Sequence, residues 1–304
     1  MSRHSIPAAT SAPGVSVGTR PQVGLGRSVR SEFVKMTTLK STWLLLAINL
    51  LLLPLGGGLS AWALKIMATT NPKDGKPLPH PEPVAWADLW GAVGSMVDMC
   101  TIVVGVLGVM AVTAEFSTSS IDSTLAANPH RGMLLGAKAI VTAALAWASG
   151  QIGVLLALGL ARIVASPMTL LSLDPAQGAL PWIVLLGLPL LLAGFAVLAV
   201  GQGAFCRSTV AGVFVLVALE MLLPMLLGLF SSVSRFFSWM GTLSSLTPTQ
   251  LMGNFLSGGS GPDPDSFVSG ALHPSWWQSA LILLVWVAAF YLAGTVVMRR
   301  RDVR

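Results

Sequence analysis

Six continuous apolar runs, at about residues 42–66, 89–114, 139–161, 181–205, 209–230 and 276–298, organise the 304-residue chain. Each is long enough to cross a bilayer as a helix with some tilt, and none alternates as a barrel strand would. Backbone groups inside hydrocarbon have no water to bond, so these runs read as helices. The pattern predicts an all-α polytopic membrane protein with six transmembrane helices. Polar connections lie near residues 67–88, 115–138, 162–180, 206–208 and 231–275.

Two further periodic segments flank the spans. From Gly24 to Lys40, Leu25, Val29, Phe33 and Met36 recur at spacings of four, four and three, while Arg27, Arg30, Glu32, Lys35 and Lys40 take the other faces. That predicts an amphipathic interfacial helix at the inner surface, running into the first span; a plain cytosolic extension of that span is the alternative. In the last long connection, Phe236, Phe237, Trp239, Met240, Leu251, Met252 and Phe255 are too apolar for a solvated loop. One or two short re-entrant helices in the outer leaflet are expected there, before the stretch SGGSGPDPDS. Residues 1–22, rich in Pro, Ser, Ala and Gly, read as a disordered cytosolic tail, and residues 23–304 as one transmembrane domain.

Composition agrees: 54% of residues are hydrophobic and 10% charged. The net charge of +6 does not imply nucleic-acid binding, because Lys and Arg collect at the ends of apolar runs. With the N-terminus inside, the inner side holds thirteen of them and the outer side five (Lys65, Lys73, Lys76, Arg162 and Arg235), which gives an N-in, C-in topology. Trp43 at an inner end, and Trp86, Trp90, Trp182, Trp276 and Trp277 at outer ends, fit interfacial belts. Ala61-Trp62-Ala63 imitates a signal-peptidase site, but the run before it is long enough to span, so an uncleaved helix is expected. Cys100 and Cys206 have no CxxC spacing and no companion His, which points to core thiols.

Conventional catalytic signatures are missing. Gly75-Lys76 is followed by Pro77 and lacks the upstream glycine of a phosphate loop; there is no HExxH and no GxSxG, and all four His residues lie in tails or loops. No catalytic or metal-ligating set is expected, and ATP chemistry would have to come from another subunit. Two acids fall inside spans, Asp98 and Glu220. A mid-bilayer carboxylate costs roughly 2.5–3.5 kcal/mol on insertion scales, so both should face a bundle interior or a wet cavity. Either could mark a translocation path or hold helices together. Asp98 has Ser95 and Thr101 three residues away on its own helix, whereas Glu220 needs a partner from another helix, for instance Gln151 or Gln202.

The polar island Thr113 to Lys138 carries a second candidate. Ser119-Ser120-Ile121-Asp122 offers an S-x-x-D helix start, and Asn128-Pro129 a stop. The expected product is two turns of helix over Ser120 to Ala127, presenting Ile121, Leu125 and Ala126 between two span ends. It is either an ordinary capped loop helix or a rigid contact that transmits movement from a cytosolic partner.

The stretch EFSTSSIDSTLAANPHRG resembles the cytosolic loop of type-2 ATP-binding-cassette (ABC) transporter permeases, roughly E-aromatic-x-x-G-T-I-R-x-T-L-A-x-x-P-x-R, through Glu115, Phe116, Ile121, Thr124, Leu125, Ala126, Pro129 and Arg131. RSEFVKMTTLKSTWLLL is similar to the entry segment of actinobacterial permeases of this kind, through Glu32, Lys35, Thr38, Lys40, Ser41, Thr42 and Trp43. Ser119 stands where that pattern has glycine, and Asp122 where it has arginine.

The resemblance implies a permease subunit of an ABC exporter in a bacterial plasma membrane, working in efflux. ATP and Mg would be bound by separate ATPase subunits, and a second permease chain, identical or not, would complete the path. It also implies that Glu115, Phe116, Ser119, Ser120, Ile121, Asp122, Thr124, Leu125, Pro129 and Arg131 couple to the ATPase, with Arg30, Glu32, Phe33 and Lys35 on the interfacial helix. The rival expectation is an ion-coupled secondary transporter using Glu220 and Asp98; a membrane anchor or sensor without transport is a third.

Overall fold

A computed structural model describes residues 24–71, 73–117, 131–166, 168–233, 235–258 and 274–300. Six of its helices are long and apolar enough to cross a membrane, consistent with an all-α polytopic membrane protein. The elements are α1 (Leu25–Thr38), α2 (Lys40–Thr69), α3 (Trp86–Val93), α4 (Val97–Ser117), α5 (Arg131–Ala165), α6 (Leu180–Cys206), α7 (Thr209–Val233), α8 (Ser238–Ser245), α9 (Pro248–Leu256) and α10 (Trp276–Arg300). Helices α3 and α4 share one span, broken at residues 94–96. Six successive crossings put both ends of the described chain at one end of the bundle, called proximal below.

Helices α7 and α10 start where the apolar runs do, at Thr209 and Trp276, whereas α5 begins at Arg131, eight residues before its run, and so takes in Lys138. Helix α1 does not run on into α2: Leu39 is extended (φ −82°, ψ 125°), so the two are separate elements. At the distal end Val84–Ala85 pairs in parallel with Leu170–Leu171, tying together two connections between spans. Two short helices, α8 and α9, precede the last span, in the connection where one or two were expected.

Helix α6 is the central pillar. It has 61% of its most apolar stretch buried, against 17% for α7 and for α10, and it packs on α4, α5 and α10. The main core gathers Leu53, Val154, Ala157, Leu188, Leu192 and Phe195 from α2, α5 and α6, with Leu251 and Met252 of α9 closing it distally. Close approach between α6 and α10 depends on glycine: a Cβ on Gly201 would stand 2.4 Å from the Phe290 carbonyl oxygen, and one on Gly294 2.5 Å from that of Gly201. By contrast a Cβ on Gly91 would face open space.

Two π-helical turns interrupt the spans, Ile183–Gly187 in α6 and Ala218–Leu222 in α7. Each precedes a proline, Pro189 and Pro224, whose ring cannot donate to the carbonyl four residues earlier and clashes with it. In α7 that carbonyl belongs to Glu220, and Thr249 Oγ1 of α9 donates to it at 2.6 Å instead. Ser244 Oγ of α8 donates to the Pro224 carbonyl at 3.2 Å. Helix α9 thus satisfies the carbonyl that the proline leaves open, and α8 adds a second tie to the same turn.

The tryptophans divide. Trp43, Trp182 and Trp277 are exposed, as a belt residue should be, but Trp90 is buried and Trp86 lies under the Arg162 guanidinium, 4.6 Å from its ring centroid. Cys100 and Cys206 are both free thiols, Cys100 buried and Cys206 half-buried.

Candidate functional site

At the proximal end four charged side chains from three elements meet. Glu32 and Lys35 come from one face of α1, Glu115 from the last turn of α4, and Lys138 from the third turn of α5. Lys138 Nζ donates to Glu32 Oε2 at 2.7 Å and to Glu115 Oε1 at 2.8 Å. Lys35 Nζ donates to Glu32 Oε1 at 3.0 Å and also to Glu115 Oε1. The four close a ring of alternating charge with two acids and two bases.

Lys138 is 2% exposed, Glu32 2% and Glu115 6%, while Lys35 stands at the rim. Each buried ion costs several kcal/mol of lost hydration, which only near-ideal pairing offsets. Burial works against the charge on Lys35, but the hydrogen bonds and charges of Glu115 and Glu32 outweigh it and hold the ammonium above its usual range.

The ring explains how α1 is seated. Its buried positions are Ser28, Glu32 and Met36, each four residues apart, and Met36 enters a cluster with Leu46, Leu107 and Val141 from α2, α4 and α5. Of the four residues that define the amphipathic period, Met36 is buried and Val29 packs against the same cluster, while Leu25 and Phe33 are exposed. The helix therefore docks on the bundle by Ser28, Glu32 and Met36 and leaves Leu25 and Phe33 free. Arg30 is exposed and outside the ring.

The ring also closes the base of the polar island. Glu115 sits near the end of α4 and Lys138 near the start of α5, so their contact fixes the two points from which residues 118–130 emerge. Beside it, Arg207 forms the turn between α6 and α7 in the left-handed region (φ 55°), where glycine is the usual residue. Its guanidinium lies 5.5 Å from the Phe116 ring centroid, and the Thr113 and Thr209 hydroxyls are 2.7 Å apart. Three spans and α1 thereby converge on the same few residues.

The expected coupling residues Ser119, Ser120, Ile121, Asp122, Thr124, Leu125 and Pro129 lie outside the described residues, as does the helix expected over Ser120 to Ala127. Arg131 opens α5, and its side chain is outside them too. Of the expected site residues, the structure brings Glu32, Lys35 and Glu115 together and places Phe116 next to them. Sequence reasoning gave Lys138 a topological role and missed its place in the ring. The available signal was that a lysine eight residues into a long apolar helix needs an acid.

The two intramembrane acids are placed differently from each other. Glu220 is buried, with Oε2 2.7 Å from Thr101 Oγ1 on α4. Neither Gln151 nor Gln202 supplies that partner; both keep unpaired buried amide atoms. The Thr101 hydroxyl also lies 2.7 Å from the Asp98 carbonyl. Asp98 itself is exposed on the side of α4.

No group of His, Cys, Asp and Glu among the described residues could hold a metal ion. Compared with protein-family models the chain matches none, and no curated protein matches it.

Proposed function

We propose that this chain is the transmembrane permease subunit of a type-2 ABC exporter, driven by separate ATPase subunits. The carrying observation is the Glu32–Lys35–Glu115–Lys138 ring, which joins the two segments whose sequences resemble that family: the entry segment on α1 and the start of the cytosolic loop at Glu115. In this reading, a push on residues 118–130 is delivered to the ends of α4 and α5, and the ring passes it to α1 and through Met36 to α2. The ion pairs make the assembly stiff, because no member can move without leaving a buried charge behind. The proximal end is then the cytosolic side, and α8 and α9 lie in the outer leaflet.

The experiment is ATPase stimulation. With the partner ATPase reconstituted beside this chain, Ile121→Asp with Leu125→Asp is expected to abolish stimulation while the permease still folds. Stimulation at the wild-type level would remove the loop from the coupling route.

A secondary transporter is the second reading, favoured by the placement of Glu220 and Asp98 at mid-span. It expects pH-gradient-driven transport by this chain alone in liposomes, lost in Glu220→Gln.

A further inference from the structure

Helices α6 and α10 approach closely at Gly201 and Gly294, toward the proximal side. Between that crossing and α9 they leave a cleft of about 240 Å³. Leu191, Phe195, Leu198 and Leu283 form its buried floor, while Leu190 and Leu284 stand exposed at its rim, so it opens on the outer surface of the bundle. Phe255 of α9 stands at its distal end, beside Gly187.

Two glycines keep the cleft open. Gly187 ends the π-helical turn of α6, and a Cβ there would stand 2.6 Å from the Phe255 ring. Gly194 lies across from Val287, where a Cβ would make an ordinary contact at 3.6 Å. A larger side chain at 194 therefore has room to start and would occupy the cleft.

Chemistry, depth and width decide what it can hold. Among the described residues the lining carries no polar side chain, so a polar group brought inside would lose its partners and find none. The lining on α6 runs from Gly187 to Leu198 and begins roughly 10 Å below Leu180, where the span starts, at 1.5 Å per residue. That is hydrocarbon depth, in the distal half of the bundle. The same stretch of α6 is roughly 16 Å long, which makes the cleft a slot about 4 Å across. One carbon chain lies on another at about that distance. A helix with its side chains is about 10–12 Å wide, so a second copy of this chain could cover the rim but not fill the floor.

We propose that the cleft between α6 and α10 binds one acyl chain of a membrane phospholipid from the distal leaflet. The chain lies along α6 with Phe195 and Leu198 beneath it and Leu190 and Leu284 at its sides, and the headgroup stays at the interface where α10 begins. Inside a bilayer no hydrophobic gain drives this binding, since the surrounding lipid is equally apolar; the gain is close contact with packed side chains on three sides. The site requires a bundle embedded in lipid and nothing of the permease reading.

The test uses the full chain in phosphatidylcholine nanodiscs that contain a small fraction of phosphatidylcholine with a diazirine at the middle of one acyl chain. After illumination, mass spectrometry maps the cross-linked residues. Label is expected on residues 187–198 and 280–287 at about tenfold the level on α7, a preference of about 1.4 kcal/mol for the cleft. Helix α7 is the right reference, because its most apolar stretch is only 17% buried and meets lipid freely. Gly194→Leu, which fills the slot from α6, is expected to bring labelling of the cleft down to the level of α7 and to leave α7 unchanged. Labelling of the cleft no greater than that of α7 in wild type, or equal labelling of the cleft in wild type and Gly194→Leu, would overturn the site. So would a cleft free of label, the outcome expected if a second copy covers this face. Should Gly194→Leu fail to fold, Val287→Phe fills the same slot from α10, and the wild-type map decides in either case.

Discussion

Lys138 and Glu32 are 106 residues apart in the chain, and their side chains meet at 2.7 Å in a nearly solvent-free contact. The contact is the hub of the proximal end. Removing its ammonium strands two carboxylates away from water. Lys138→Met is expected to cost about 3–5 kcal/mol, the usual penalty for breaking a buried pair from one side. In a double-mutant cycle with Glu32→Gln, thermal unfolding in detergent should show a coupling of roughly 0.5–3 kcal/mol. Additive effects would mean that the two side chains do not act as a pair.

Lys35 gives the ring a pH signature. Its ammonium is held above the ordinary value of 10.5 by Glu115 and Glu32. A raised pKa means stability that is fully present below pH 10.5 and lost as pH climbs through the higher folded value. The gap in melting temperature between wild type and Lys35→Gln should stay constant from pH 7 to about 10 and narrow above 10.5. The gap itself should be small, since Lys35 is partly exposed and screened. A gap that widens with alkali would contradict the pairing.

Thr101 links Glu220 to the Asp98 backbone through one hydroxyl. Thr101→Val keeps the shape and removes the link, so it should destabilise by about 1–3 kcal/mol, the cost of a buried polar group left unpaired. Thr101→Ser restores the hydroxyl and should recover most of that loss. Unfolding midpoints of the two variants in nanodiscs check this directly.

The crossing of α6 and α10 has no room for a side chain at Gly201. Gly201→Leu meets backbone, not a flexible side-chain end, and should exceed the roughly 1–3 kcal/mol of ordinary overpacking. Gly91→Leu, in open space, serves as the control and should be near neutral.

The spans were legible because hydropathy acts locally: a run of twenty apolar residues must be buried in lipid or protein whatever the rest of the chain does. The distal pair α8 and α9 was legible for the same reason, through residues such as Trp239 and Leu251 that a solvated loop would not carry. Polar pairing is not local. Thr101 and Glu220 are 119 positions apart, and nothing in their spacing marks them as partners. Lys138 shows the same limit from the other side, since its position at a helix end already had an explanation in the inside-positive rule. Periodicity located the helix α1 and its apolar residues but not the pairing of Glu32 with a lysine 106 positions away, nor the break at Leu39 that separates α1 from α2.

The central claim is that this chain works beside an ATP-binding subunit, and isolation from its native membrane tests it most directly. Tagged at the C-terminus and purified in mild detergent, it should bring down an ABC ATPase in stoichiometric amount, and Ile121→Asp with Leu125→Asp should release that subunit. Recovery of the intact chain with no ATP-binding protein attached would contradict the account.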